Sequence, residues 1–184
     1  GAHAHQINND GTSVLHAAGQ EGHIDVVKYL VESCGAHAHQ TNNDGTSALH
    51  FASSNGHIDV VKYLVESCNV DVHQANNDGI SALHFAAGNG HTDIIKYLVG
   101  SCGADIHQAN HDGVFVLQLA CRQGYTDIIE YLVESCQADV HQTDTDGTSS
   151  LHFASSNGHI DVVKYLVESC NVDVHQANND GISA

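Results

Sequence analysis

Between Gly45 and Asp78 the chain reads GTSALHFASSNGHIDVVKYLVESCNVDVHQANND, and polar and apolar positions alternate there with a helical period twice. Leu49, Ala52 and Ser53 fall at i, i+3 and i+4, which predicts a first helix with one buried face and Ser47 as its hydroxyl cap. Asn55-Gly56 stops that helix, because glycine takes the left-handed C-cap conformation cheaply. In the stretch after it Ile58, Val61, Leu64, Val65 and Cys68 form an apolar stripe, while Asp59, Lys62 and Glu66 point to water, so a second amphipathic helix is predicted. The segment NVDVHQ is expected to be extended, and ANNDG carries turn chemistry. The predicted unit is helix, helix and projecting turn.

The same unit recurs. Asp-Gly pairs begin at Asp10, Asp44, Asp78, Asp112, Asp146 and Asp180, and Cys34, Cys68, Cys102, Cys136 and Cys170 keep the same 34-residue step. A fixed period of this size predicts a solenoid whose units bury their apolar faces against each other. The expected organisation is one array over residues 1–184: a partial unit 1–10, full repeats 11–44, 45–78, 79–112, 113–146 and 147–180, and a partial unit 181–184, a window on a longer array.

These units resemble ankyrin repeats. The family's Thr-Pro-Leu-His stretch is matched by Ser47-Ala48-Leu49-His50, its Asn-Gly-His turn by Asn55-Gly56-His57, and its Gly-Ala-Asp-Val tail by Gly103-Ala104-Asp105-Ile106. Two features depart from the family pattern: proline is absent throughout, and a residue inserted near Cys68 makes 34 residues of the usual 33. The insertion is expected to lengthen the second helix. The resemblance implies an all-α ankyrin-repeat solenoid of stacked helix-turn-helix units with projecting β-turn loops. It implies that His16, His50, His84 and His152 bond neighbouring backbone, and that His23, His57, His91 and His159 shape the turn after the first helix.

It also implies binding of other proteins through the turn tips and the exposed side of the first helices. The matching positions are Asn43, Asp44, Thr46, Ser54 and Asn55 in one unit and Asn77, Asp78, Ile80, Gly88 and Asn89 in the next. The following unit is the distinctive one. It offers His111, Asp112, Val114, Arg122 and Gln123, with Phe115 at the capping position, Gln118 for the signature histidine and Tyr125 for the turn histidine. Aromatic and Arg side chains are the usual anchors of an interface, so this unit is the expected contact.

Charge narrows the partners. Five Lys plus Arg against 22 Asp plus Glu leave a net charge of -17, which repels phosphate backbones and anionic lipid surfaces. Apolar runs such as Tyr63 to Val65 are far shorter than the roughly 20 residues of a membrane span. No nucleic-acid or membrane partner is expected. The 17 histidines could, if all protonated, cancel the whole charge, with association expected near the sequence pI of about 5.2.

Candidate chemistry is sparse. No H-E-x-x-H, G-x-S-x-G or phosphate-binding glycine loop occurs, so no enzyme is expected. The pairs His3/His5 and His37/His39 could meet zinc, copper or nickel if their segments are extended. Later units put Asp71, Asp105, Asp139 and Asp173 in the first place, so a polar rim is expected instead, with no cofactor or metal. Equivalent helices about 8 to 10 Å apart hold neighbouring cysteines too far apart to bridge, and each is expected to pack as a small buried hydrophobe. Six thiols and no N-x-[ST] sequon favour an intracellular setting, a filament an extracellular one, and the compartment stays open. Two functions compete: a protein-binding scaffold or adaptor, and a structural subunit whose copies stack end to end into a filament. The second draws on residues 45–78 and 147–180, which differ only at Ala48 and Ser150.

Overall fold

The computed structural model describes residues 6–184, so His3 and His5 lie outside the described residues. The chain forms two compact units, Gly1–Ala104 and Asp105–Ala184. All regular structure among the described residues is helical, and chain pairing there is limited to isolated bridges such as Thr41 with Ser47.

In the first unit, α1 (Val14–Gln20), α3 (Ala48–Ser54) and α5 (Ala82–Gly88) are the first helices of three repeats, and α2 (Ile24–Glu32), α4 (Ile58–Glu66) and α6 (Thr92–Gly100) the second. The first helices pack on one another in series, the second helices do the same, and each pair packs internally, giving two helical layers. In the second unit α7 (Val116–Gln123) packs on α9 (Ser150–Ser156), and α8 (Thr126–Glu130) on α10 (Ile160–Lys164). Helices of seven residues are marginal in water, so packing holds them. Leu49, Leu64, Leu83 and Leu98 fill the first core, and Ile128, Ile129, Leu132 and Leu151 the second.

The second helices bury more than one stripe. Val60 is fully buried alongside Val61 and Leu64, whereas Ile58, Val65 and Cys68 are only half-buried. The cause is stacking: α4 packs on α2 and α6 as well as on α3. The identical helix α2 shows what stacking supplies, since Val26, at the Val60 position, is 47 % exposed.

The inserted residue does not extend the α-helix. It widens the last turn: the Cys34, Cys68 and Cys102 N–H groups bond the carbonyls of Tyr29, Tyr63 and Tyr97, five residues back, at 3.2, 3.3 and 3.3 Å. In the second unit the same widening makes whole π-turns, Tyr131–Ser135 and Tyr165–Ser169. The chain then passes through the left-handed region, with Gly35 and Gly103 in two repeats and Asn69, Gln137 and Asn171 in the other three.

The NVDVHQ segment is a turn, not a strand. Asp71 Oδ1 accepts from His73 N–H at 2.9 Å, and Val72 and His73 form the bend. Likewise His37 leads into a bend formed by Ala38 and His39, with the Gln40 N–H bonded to the His37 carbonyl, which removes the extended geometry that a metal pair needed.

Candidate interaction surface

The first helices are tied to the next loop by a histidine. His50 Nδ1 accepts from the Ser47 N–H at 3.0 Å and lies 2.8 Å from its hydroxyl, while Nε2 lies 3.0 Å from the Gln74 carbonyl. A carbonyl can only accept and an N–H can only donate, so the partners fix a neutral ring protonated at Nε2. His16 repeats the arrangement with Ser13 and the Gln40 carbonyl, at 2.9 Å on each side. His152 pairs with Ser149 and with the Ile182 carbonyl. Burial holds His50 down to about 4, against a weaker opposing pull from the Gln74 carbonyl bond, and pushes His16 down for the same reason.

Gln118 does this work without a ring. Its Oε1 accepts from the Phe115 N–H at 2.8 Å, and its Nε2 donates to the Thr148 and Gln142 carbonyls at 2.9 and 3.2 Å. One amide thus supplies the acceptor and the donor that the imidazole supplies elsewhere.

The turn histidines reach the other way. Nε2 of His57 lies 2.9 Å from the Gln20 carbonyl, His91 bonds Ser54 at 2.9 Å, and His159 bonds Arg122 at 3.0 Å. At the tips, Asn76 Oδ1 accepts from the N–H groups of Asp78 and Ile80, closing the turn, and Asn77 Nδ2 donates to the Asn43 carbonyl of the preceding tip at 3.0 Å. Thr145 keeps the tip-to-tip link by bonding the Asp112 carbonyl through both its N–H and its hydroxyl.

A family model described as ankyrin repeats (3 copies) matches residues 15–110 and again 83–178. This chain belongs to the ankyrin-repeat family. No curated protein matches it. Ankyrin repeats are in general protein–protein interaction modules and are typically not enzymes. No helix among the described residues is long and apolar enough to cross a membrane, and none of their His, Cys, Asp and Glu side chains form a group of three that could hold a metal ion.

Within this ankyrin framework the expected contact residues separate. In the first unit, Asn77 and Asp78 are exposed and Ile80 is half-buried, but the Asn77 amide is committed to its neighbouring tip. In the second unit, His111, Asp112, Arg122 and Gln123 are exposed, and Phe115 and Tyr125 half-buried. Val114 is buried beneath the tip, its N–H held by Asn110 Oδ1 at 2.8 Å, so it presents little surface of its own. Helical spacing puts Phe115, half-buried Leu119 and Arg122 along one stripe of α7. Leu119 was missed because the other repeats carry Ala or Phe there, a plain apolar position in sequence.

The side formed by the second helices holds a ladder that the helical pattern concealed. Tyr63 donates its phenol to Glu32 of the preceding repeat at 3.0 Å, Tyr97 to Glu66 at 2.9 Å, and Tyr165 to Glu134 at 3.3 Å. Lys28 and Lys62 sit over the rings of Tyr63 and Tyr97, 5.8 and 5.4 Å from their centroids. Partial desolvation raises Tyr63, Tyr97 and Tyr165 well above the usual phenol range. The ladder cysteines stand beside these rings half-buried, not buried as expected, and only Cys121 is fully enclosed, its thiol pushed up to about 12 by burial. The signal was present in the sequence as Tyr and Glu at the repeat step.

Proposed function

We propose that the protein is a non-enzymatic scaffold or adaptor that recognises a protein partner through α7 and the tip before it, with Arg122, Phe115 and Leu119 as anchors and His111, Asp112, Gln123 and Tyr125 around them. The observation that carries this reading is the division of labour among polar residues. The repeated Asn, His and Ser side chains are occupied in bonds between and within repeats, whereas Arg122 and Gln123 project into solvent beside two half-exposed apolar side chains. Arg122 is also the chain's one arginine, in a repeat that carries Glu130 where others carry lysine. A guanidinium beside apolar surface suits a partner that presents a carboxylate next to an apolar anchor.

The test is affinity for a partner captured on the immobilised chain, measured by calorimetry for Phe115→Ala, Arg122→Ala and, as control, Ser156→Ala at the Arg122 position of another repeat. Each anchor variant should weaken binding by about tenfold or more, roughly 1.4 kcal/mol. Equal affinity for all three variants and the parent would overturn the assignment.

End-to-end assembly is the competing proposal, favoured by the near-identity of residues 45–78 and 147–180, which makes successive junctions alike. Light scattering separates the two. A mass that rises with concentration supports the filament, and a constant monomer mass supports the adaptor.

A further inference from the structure

The first-helix rungs come in two chemical kinds, one that can take a proton and one that cannot. In the first unit His16 and His50, each 1 % exposed, join a Ser N-cap to a loop carbonyl near the end of the same repeat. In the second unit Gln118, equally buried, joins the Phe115 N–H to the Gln142 and Thr148 carbonyls. We propose that the histidine rungs are an acid-triggered release of the first unit's helix pairs, and that the glutamine rung makes residues 113–146 resistant to the same trigger.

The argument is one of donors and acceptors. In the neutral ring Nδ1 holds the lone pair that receives the Ser47 N–H. A proton taken from solvent occupies that lone pair, so two donors face each other. The Ser47 hydroxyl, 2.8 Å away, can turn to accept the new N–H, but the Ser47 backbone N–H is then left without an acceptor in a buried site. The cation is also buried among uncharged partners. Phe85 lies edge-on to the ring at 5.7 Å.

The surrounding charges do not offset this. α3 has no titratable side chain besides His50. α1 contributes His16, whose charge opposes a second proton, and α5 contributes His84. On α4, Asp59, Lys62 and Glu66 are exposed and Tyr63 is engaged with Glu32, and the loop that bonds His50 brings exposed Asp71 and His73. Around His16, α2 brings Asp25, Lys28, Tyr29 and Glu32, all exposed, and the loop brings exposed His37 and His39. Burial lowers both rings, His50 to about 4. A folded value below the unfolded value near 6.5 means that the rung's contribution is complete above about pH 6.5 and is lost progressively as pH falls toward 4. A carboxamide has no such transition.

Hydrogen exchange of the intact chain, corrected for the intrinsic pH dependence, tests this between pH 7.5 and 5, above the range in which most carboxylates protonate. Opening of residues 47–54 should rise roughly 30-fold in the parent over that interval, while residues 116–123 stay within about threefold. His50→Gln should flatten the response of 47–54, since Gln118 shows that the fold accepts that side chain. Should His50→Gln not fold, Gln118→His is the reciprocal variant, and it should confer the acid response on 116–123. The proposal is overturned if 47–54 in the parent keeps constant protection down to pH 5, or if His50→Gln or Gln118→His leaves the pH response of its helix unchanged.

Discussion

His57 points its ring back across a whole repeat and donates Nε2–H to the main-chain carbonyl of Gln20, 2.9 Å away. The bond satisfies a carbonyl at the end of α1 that no helical partner can reach, and it makes the turn after α3 a clasp on the repeat before it. His57→Ala should lower unfolding stability by about 1 to 2 kcal/mol, the cost of one orphaned carbonyl and one lost bond. Urea titration checks it, and an unchanged midpoint would remove the clasp from the account.

The glycine ahead of the His57 clasp is held by space as well as by backbone. Gly56 has φ of 81°, and a Cβ there would lie 2.7 Å from the His91 ring. Gly56→Ala should therefore cost more than the roughly 1 kcal/mol of a left-handed alanine alone. Pairing it with His91→Ala in a double-mutant cycle should recover part of that loss, and strict additivity would show that the ring is not the obstacle.

Ser53 is buried at 0 % exposure with a hydroxyl that has no hydrogen-bond partner. The next repeat places Ala87, also fully buried, at the same position. Ser53→Ala should be neutral or stabilising by up to about 1 kcal/mol, because it removes a desolvated group without leaving a cavity of consequence. A loss of stability in thermal unfolding would contradict this.

The tyrosine ladder divides into a phenol and a ring. Tyr97→Phe deletes the bond to exposed Glu66 but keeps the ring under Lys62, so about 0.5 kcal/mol or less should be lost. Tyr97→Ala should cost at least about 2 kcal/mol, since the ring packs between repeats. Equal effects of the two variants would mean that the phenol, not the ring, carries the contact.

Electrophoretic mobility gives a fifth check. Because burial lowers His16 and holds His50 down to about 4 in the folded chain, fewer than the 17 histidines offset the charge of -17 as pH falls. The folded protein should reach zero mobility below the sequence value of about 5.2, while the urea-unfolded chain reaches it nearer that value. Coincident zero points would show that the buried rings titrate freely.

Much of this was legible in the sequence because repetition multiplies weak signals. Ser47, Leu49, Asn55-Gly56 and the Ile58 to Cys68 stripe placed every helix, since one-dimensional periodicity carries capping and one-sided burial. What periodicity within a single unit does not carry is the neighbour. Val60 lay outside the stripe read from the sequence and is fully buried because α4 has flanking helices of its own kind. Tyr63 and Glu32 meet across 31 residues, a distance no helical wheel represents. Val114 was read as part of a contact surface, yet the Asx turn made by Asn110 tucks it inward. The widened turn at Cys68 needed the backbone, because an inserted residue can lengthen a helix or loosen its last turn with the same composition.

The most direct measurement on the proposed function is a hydrogen-exchange footprint of the chain with and without its bound partner, at neutral pH where every rung is intact. Slowed exchange concentrated over residues 110–126, with the equivalent stretch 42–58 unchanged, is the expected result. Protection spread evenly over equivalent positions of all repeats, or confined to the tyrosine ladder on the second helices, would contradict recognition through Phe115, Leu119 and Arg122.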